Sequence, residues 1–337
     1  MGGVSRRQVA TGLAAAGSLA AVAARKPLAQ GQRYTIYMVT WRGWEDGSQG
    51  FEDYLERRKL PVDLVVRDCE RDADAIPGFV AEAKELQPDL VYTWGTTTAL
   101  GVFGRLGEVD PARNITEIPG VFNIVSTPIE AGLVAAYDEP RPNLTGALYL
   151  VPIETQLRTM RAYGPVDKVG MVYNELEANS RLTVGRMQAL GEAEGFATEA
   201  FPMPLDDAGT PDVEALPEQV RLAEAGGSDW LYIPPDSFLN VNRDILTAAA
   251  RDAGLPTFAS AENFIRASHG LVGLVSRYYN VGQYVGYLAE QILVGGRSPG
   301  ELPIRNLDRF SLIVNMTTAH DLGFYPPLSM LSIAEFV

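Results

Sequence analysis

The sequence predicts an α/β fold of two doubly wound parallel-sheet lobes, and three observations carry that prediction. Short apolar runs alternate with stretches of helical spacing along nearly the whole chain, the pattern of strands and crossover helices in a parallel sheet covered on both faces. The alternation runs through one series to Leu150 and starts again at Ile153, so one series gives one lobe and the next gives another. Several apolar strands end in a polar turn that leads straight into a helix. The organising example is Leu90–Trp94, which stops at Gly95 and turns into Thr96, Thr97 and Thr98. The layout recurs at Ser126-Thr127-Pro128, from Tyr173-Asn174 to Asn179-Ser180, at Pro235-Asp236-Ser237 and at Ser260-Ala261-Glu262. A helix N-terminus at the carboxyl end of a parallel strand has free N–H groups and seats an anionic group.

In chain order, Tyr34 to Thr40 reads as a strand that ends in Trp41-Arg42-Gly43-Trp44, followed by a helix through Phe51, Tyr54 and Leu55. Val62 to Val66 is a second strand and Ile76 to Leu86 a helix. The organising strand and its helix come next, then a strand from Pro119 to Val125. Pro128, favoured at a first helical position, predicts a short helix from Ile129 to Ala136. Asn143 to Leu150 is extended. The second series reads as a helix from Ile153 to Tyr163, a strand from Lys168 to Tyr173 and a helix from Asn179 to Glu194. Ala197–Phe201, Trp230–Ile233 and Pro256–Ala259 are further strands, with helices at Val213–Ala225 and Phe238–Ala253. Leu271–Val275 leads to a helix from Val281 to Val294. A last strand, Phe310–Val314, precedes a short helix and a Pro-rich tail.

A chain of 337 residues is long enough for two domains with proper cores. Its formal net charge of −14 argues against nucleic acid and anionic membrane surfaces, which demand clustered Lys and Arg. One cysteine, Cys69, and two histidines, His269 and His320, leave no disulfide framework and argue against a zinc site. No metal and no cofactor is expected, and Cys69 reads as a bystander. No G-x-G-x-x-G follows the first strand, and neither a Walker loop nor a G-x-S-x-G elbow is present, so an enzyme is disfavoured.

Residues 1–30 read as an export signal of the twin-arginine type. Arg6 and Arg7 precede a weakly apolar run from Val9 to Ala24, then Arg25 and Lys26, with cleavage expected after Ala23 or Ala29. The run is too short and too rich in Ala and Gly for a membrane span. A periplasmic location with no membrane insertion after cleavage follows from that reading.

The motifs resemble the substrate-binding proteins of ABC importers, in the branch of tryptophan- and tyrosine-type periplasmic binders. The likeness is carried by Asp89-Leu90-Val91 with Trp94-Gly95-Thr96 and by Val125-Ser126-Thr127-Pro128-Ile129-Glu130-Ala131-Gly132-Leu133. It continues through Asn143-Leu144-Thr145-Gly146, Val172-Tyr173-Asn174 with Asn179-Ser180, and Tyr232-Ile233-Pro234-Pro235-Asp236-Ser237. Gly286-Tyr287-Leu288-Ala289, Val314-Asn315 and Ala319-His320-Asp321-Leu322-Gly323 complete it, from about Tyr34 to the C-terminus. The resemblance implies a type I periplasmic-binding fold whose lobes are joined by three crossing segments and close by a hinge motion. The crossings are expected near Leu148–Ile153, Leu274–Tyr279 and Glu301–Asp308. One lobe then holds 31–150 with about 276–304, and the other 151–275 with about 305–337. It further implies a monomeric receptor that binds a small organic ligand, performs no chemistry and hands its cargo to an ABC permease. A sensor subunit with the same fold is the alternative. The family's first loop carries a histidine-proline pair where this chain has Trp41-Arg42-Gly43-Trp44.

In the cleft between such lobes, Gly95, Thr96, Thr97, Ser126 and Thr127 from one lobe, with Asn179 and Ser180 from the other, suit a carboxylate. Asp236, Ser237 and Glu262 follow strands of the second series, and the two acids there suit a ligand's ammonium or hydroxyl. Trp41, Trp44, Tyr173 and Tyr278 suit an aromatic or apolar body, and Arg42 is an alternative anion partner. Each has a plain second reading: Thr96, Ser126 and Asp236 as helix caps, the tryptophans as edge packing, Glu262 as solvated and Tyr278 as packing at a crossing. An aromatic amino acid or related small carboxylate is the expected ligand.

Overall fold

The computed structural model describes residues 33–307 and 309–337. The expected export signal and Asp308 lie outside the described residues.

The first series folds as β1 (Tyr34–Thr40), α1 (Asp46–Arg57), β2 (Val62–Asp68), α2 (Ile76–Leu86), β3 (Leu90–Trp94), α3 (Thr96–Phe103), β4 (Gly120–Val125) and β5 (Leu144–Leu148). The second runs α4 (Ile153–Tyr163), β6 (Lys168–Tyr173), α5 (Ala178–Glu194), β7 (Ala197–Pro202), α6 (Leu216–Ala225), β8 (Trp230–Ile233), α7 (Ser237–Val241), α8 (Arg243–Asp252), β9 (Thr257–Ala259), α9 (Asn263–Arg266) and β10 (Val272–Val275). The remainder is α10 (Tyr278–Leu293), β11 (Arg305–Asn306), β12 (Ser311–Val314), α11 (Met316–Leu322) and β13 (Ala334–Phe336).

Two sheets form. The first has the order β11-β5-β4-β3-β1-β2 and all its pairings are parallel. Every residue of β3 and β4 is buried, as strands covered by helices on both faces require. The second has the order β13-β12-β10-β9-β8-β6-β7. It is parallel except where β12 runs antiparallel to β10. The α/β class with two doubly wound, mainly parallel sheets is therefore the fold of the chain. Three crossings join the sheets: from β5 to α4, from β10 into α10, and between β11 and β12. Arg305–Asn306 pairs with Ala147–Leu148, so this segment belongs to the first sheet.

Several elements depart from the sequence expectation. No helix follows Pro128. Leu133 N–H and Val134 N–H both donate to the Pro128 carbonyl, and Gly132 at φ +74° turns the chain away. The stretch expected as one helix from Phe238 to Ala253 is two, broken at Asn242, whose side chain donates to the Phe238 carbonyl at 2.9 Å. Helix α10 starts at Tyr278, three residues before the expected Val281, because α1 gives its first turn a packing surface. The Pro-rich tail ends in a strand, β13, that completes the second sheet beside β12.

Helices α1 and α10 meet backbone to backbone through Gly47, Gly50 and Gly282, so α10 belongs with the first sheet although it follows the second in sequence. This contact carries Tyr278 to the space between the sheets.

Candidate functional site: the cleft between the sheets

The carboxyl ends of the strands of both sheets face one another across a cleft. Trp41, Arg42, Trp94, Gly95, Thr96, Thr97, Ile124, Ser126 and Tyr149 line it from the first sheet, with Tyr278 from α10. Asn179, Pro235, Asp236, Ser237, Asn240, Ala261 and Phe264 line it from the second.

The backbone turns sharply at both first-sheet strand ends. Gly95 sits at φ +94° and ψ 160°, a conformation open to glycine, and this swings the chain from β3 into α3 with the helix N-terminus on the cleft. Ile124 sits at φ +53°, a true outlier for a β-branched residue, where β4 bulges between Phe122 and Val125. The kink turns Ser126 toward the cleft, where its Oγ lies 2.8 Å from the Tyr149 hydroxyl. Backbone strain of this sort gathers at binding sites.

Two groups of charge face the cleft. Arg42 is buried and grips Glu45 with two hydrogen bonds, Nε to Oε1 at 2.6 Å and Nη2 to Oε2 at 3.2 Å. Its guanidinium lies 4.9 Å from the centre of the Trp94 ring. Burial is the largest influence and would lower the guanidinium's pKa, but the charge and hydrogen bonds of Glu45, with the charges of Tyr278 and Glu177, together outweigh it and the net shift is upward. On the second sheet Asp236 caps α7, accepting from Leu239 N–H at 2.9 Å on Oδ1. Its Oδ2 accepts from Asn174 N–H at 2.7 Å and Ser180 Oγ at 2.6 Å. Burial, and then the neighbouring charge of Glu177, push the Asp236 carboxyl up to about 7. Glu177 accepts from Ser237 N–H and Phe238 N–H and so shares the helix N-terminus with Asp236.

Three buried polar atoms on lining residues have no hydrogen-bond partner: Trp94 Nε1, Thr96 Oγ1 and Asn240 Oδ1. Buried polar groups are nearly always satisfied, so such atoms call for a partner from outside the chain or from solvent. The aromatic wall is Trp94, Tyr149 and Tyr278, with Tyr278 edge-on to both other rings at 6.2 and 5.4 Å.

Of the residues singled out from the sequence, Trp41, Arg42, Gly95, Thr96, Thr97, Ser126, Asn179, Asp236, Ser237 and Tyr278 line the cleft. Five do not. Trp44 is 40% exposed and bonds Gln49 through Nε1, because Gly43 at φ +92° turns it away from Trp41. Thr127 is fully buried and does not reach the cleft. Tyr173 packs at the edge of the second core. Ser180 is buried and acts through Asp236. Glu262 is buried rather than solvated, pairing with Arg266 at 2.9 Å and accepting from the Tyr278 N–H at 3.3 Å. Trp94, Ile124, Tyr149, Asn240, Phe264 and Glu177 were not singled out from the sequence. Trp94 and Tyr149 read as strand core, and only their position at strand ends marks them.

Among the described residues no group of His, Cys, Asp and Glu is arranged to hold a metal ion, and no helix is long and apolar enough to cross a membrane. Two α/β lobes with a polar and aromatic cleft between strand ends define a ligand-binding protein of the type I periplasmic class. Residues 62–337 match the family described as ABC transporter substrate binding protein, and the chain belongs to that family. It is 26% identical over 279 residues to a tyrosine-binding protein of Clostridioides difficile (strain R20291), covering 82% of this chain and 72% of that one. Its fold is similar to the ABC domain from Streptococcus pneumonia in complex with L-Trp, with 22% identity and a TM-score of 0.75 over 90% of this chain and 99% of that one. It is also similar to a conserved domain protein from Vibrio cholerae, with 21% identity and a TM-score of 0.77 over the same shares.

Proposed function

We propose that this protein is the extracytoplasmic receptor of an ABC importer and carries an aromatic amino acid or a related small aromatic carboxylate in the cleft between its lobes. Residues 1–30 would direct export by the twin-arginine route to the periplasm and then be removed. One lobe comprises 31–150 with α10 and the segment to β11, and the other comprises the second series with the C-terminal strands. The lobes close on the ligand about the three crossings, and the closed monomer docks on the permease.

The observation that carries this reading is the make-up of the cleft. It sets three aromatic rings beside polar atoms that lack partners, with a helix N-terminus and Arg42 on one side and carboxylates on the other. An aromatic body with an acidic and a basic group matches all three features. The tyrosine- and tryptophan-binding relatives support the same ligand class. A thermal-shift screen against amino acids, aromatic acids, amides and nucleobases tests it. A true ligand at a hundredfold excess over its Kd adds about 2.7 kcal/mol of stability. Stabilisation by aromatic amino acids or aromatic acids alone is the expected result; stabilisation confined to nucleobases or aliphatic amides would sink the reading.

A further inference from the structure

Arg42 carries the only positive charge among the described residues that line the cleft. Glu45 holds two of its three nitrogens, Nε and Nη2, and the Trp94 ring lies against the guanidinium. Nη1 makes no hydrogen bond among the described residues, and a guanidinium offers five N–H donors in a rigid fork. The side chain is only 8% exposed, and the ion pair and the Trp94 ring hold it in place. Thr96 Oγ1, without a partner and on a residue 3% exposed, stands on the same first-sheet side at the N-terminus of α3. Across the cleft the demand is reversed. Asn240 Oδ1 is an acceptor without a donor on a residue 6% exposed, and it stands on α7, the helix that Asp236 caps.

We propose that Arg42 is the specificity-determining residue of the cleft: its Nη1 edge and Thr96 Oγ1 take the ligand's carboxylate, while Asn240 Oδ1 takes the ligand's ammonium. This rests on the proposed function and adds to it that the ligand lies across the cleft as a dipole, negative end on the first lobe and positive end on the second. A carboxylate leaving water for so buried a site needs charged or multiple donors to replace its hydration. The ion pair with Glu45 leaves that role open to Arg42, since it orients the guanidinium and spends only two nitrogens.

Calorimetric titration of the purified protein with L-tyrosine and L-tryptophan, their amides, and tyramine and tryptamine tests the proposal. The wild type is expected to prefer the acids over the amides and amines by at least about tenfold. The double variant R42Q/E45Q removes the ion pair without stranding a buried charge. It is expected to weaken the acids by about 10- to 100-fold while changing the amides less than about threefold. R42K keeps the charge without the fork and is expected to fall between. If the wild type binds acids and amides alike, or both variants keep the wild-type preference, Arg42 does not read the carboxylate and the proposed function stands without it. If the wild type binds none of the six probes, this proposal falls, and the wider thermal-shift screen decides the proposed function separately.

Discussion

A methyl group on Gly282 would lie 2.0 Å from the carbonyl oxygen of Gly47, and one on Gly50 would lie 2.0 Å from the carbonyl oxygen of Tyr279. Helices α1 and α10 therefore touch through bare backbone, and neither can shift without the other. Tyr278, at the start of α10, takes its place in the cleft from that contact. G282A should destabilise the protein by at least the ~1–3 kcal/mol usual for overpacking, since the obstacle is backbone rather than a side chain that can rotate away. The same variant should weaken ligand binding through Tyr278. Denaturant unfolding and a titration check both; a wild-type midpoint would mean that the two helices part freely.

The alternation of strands and helices was legible because burial on both faces forces continuous apolar strands, and both sheets follow from it. What was not legible has local causes. The turn after Thr127 mimics a helix start until Gly132 redirects it, and a proline cannot signal which outcome follows. Strand β13 forms only because β12 offers an edge, a tertiary fact absent from Ala334-Glu335-Phe336 itself. In the cleft, residues on polar turns were found because polarity at a strand end stands out. Trp94 and Tyr149 were missed because an aromatic at the end of an apolar run looks like core. Trp41 and Trp44 could not be told apart by composition; the backbone at Gly43 decides between them.

Gly95 offers a second test of how the cleft is built. Its φ of +94° with ψ near 160° is closed to residues with a Cβ, so G95A should cost about 1–3 kcal/mol. The strain would tilt the N-terminus of α3 off the cleft. Gly78 is the control. It lies exposed in α2, where a methyl group would meet nothing within 4 Å, and G78A should stabilise by about 0.5–1 kcal/mol. Thermal unfolding of the two variants should therefore move in opposite directions, and G95A alone should lose affinity.

Asp236 makes stability depend on pH near neutrality. Its carboxyl is raised to about 7 when folded, against about 3.9 in the unfolded chain. Between those values the folded state holds the extra proton. Its contribution is complete below about pH 3.9 and is lost as pH rises through about 7, with a slope of at most ~1.4 kcal/mol per pH unit. Glu82, Glu290 and Glu335, held down by Arg67, Arg58 and Arg266, act in the opposite sense and at lower pH. D236N should flatten the curve between pH 4 and 7. Its absolute stability at low pH should fall, because the amide has a single acceptor oxygen where two carboxyl oxygens share the donors Leu239 N–H, Asn174 N–H and Ser180 Oγ. Comparing slopes rather than levels separates the two effects, and an unchanged slope would show that Asp236 is ionised throughout.

Glu130 and Arg186 face each other at 3.9 Å, the acid on the turn after β4 of the first sheet and the base on α5 over the second sheet. The pair joins elements of different sheets, so it exists only while the lobes are together. Both side chains are about one-third exposed, which limits the pair to the ~0–1 kcal/mol typical of surface ion pairs. If closure accompanies binding, that energy belongs to the closed form alone, and E130Q should weaken ligand binding by no more than about fivefold. At 1 M salt, where charges are screened beyond about 3 Å, the difference from wild type should vanish. The loss should appear in the dissociation rate, because the pair must break before the cleft opens. Stopped-flow release at low and high salt would show it. A salt-independent loss would instead place Glu130 in the packing of the turn, with no part in holding the lobes together.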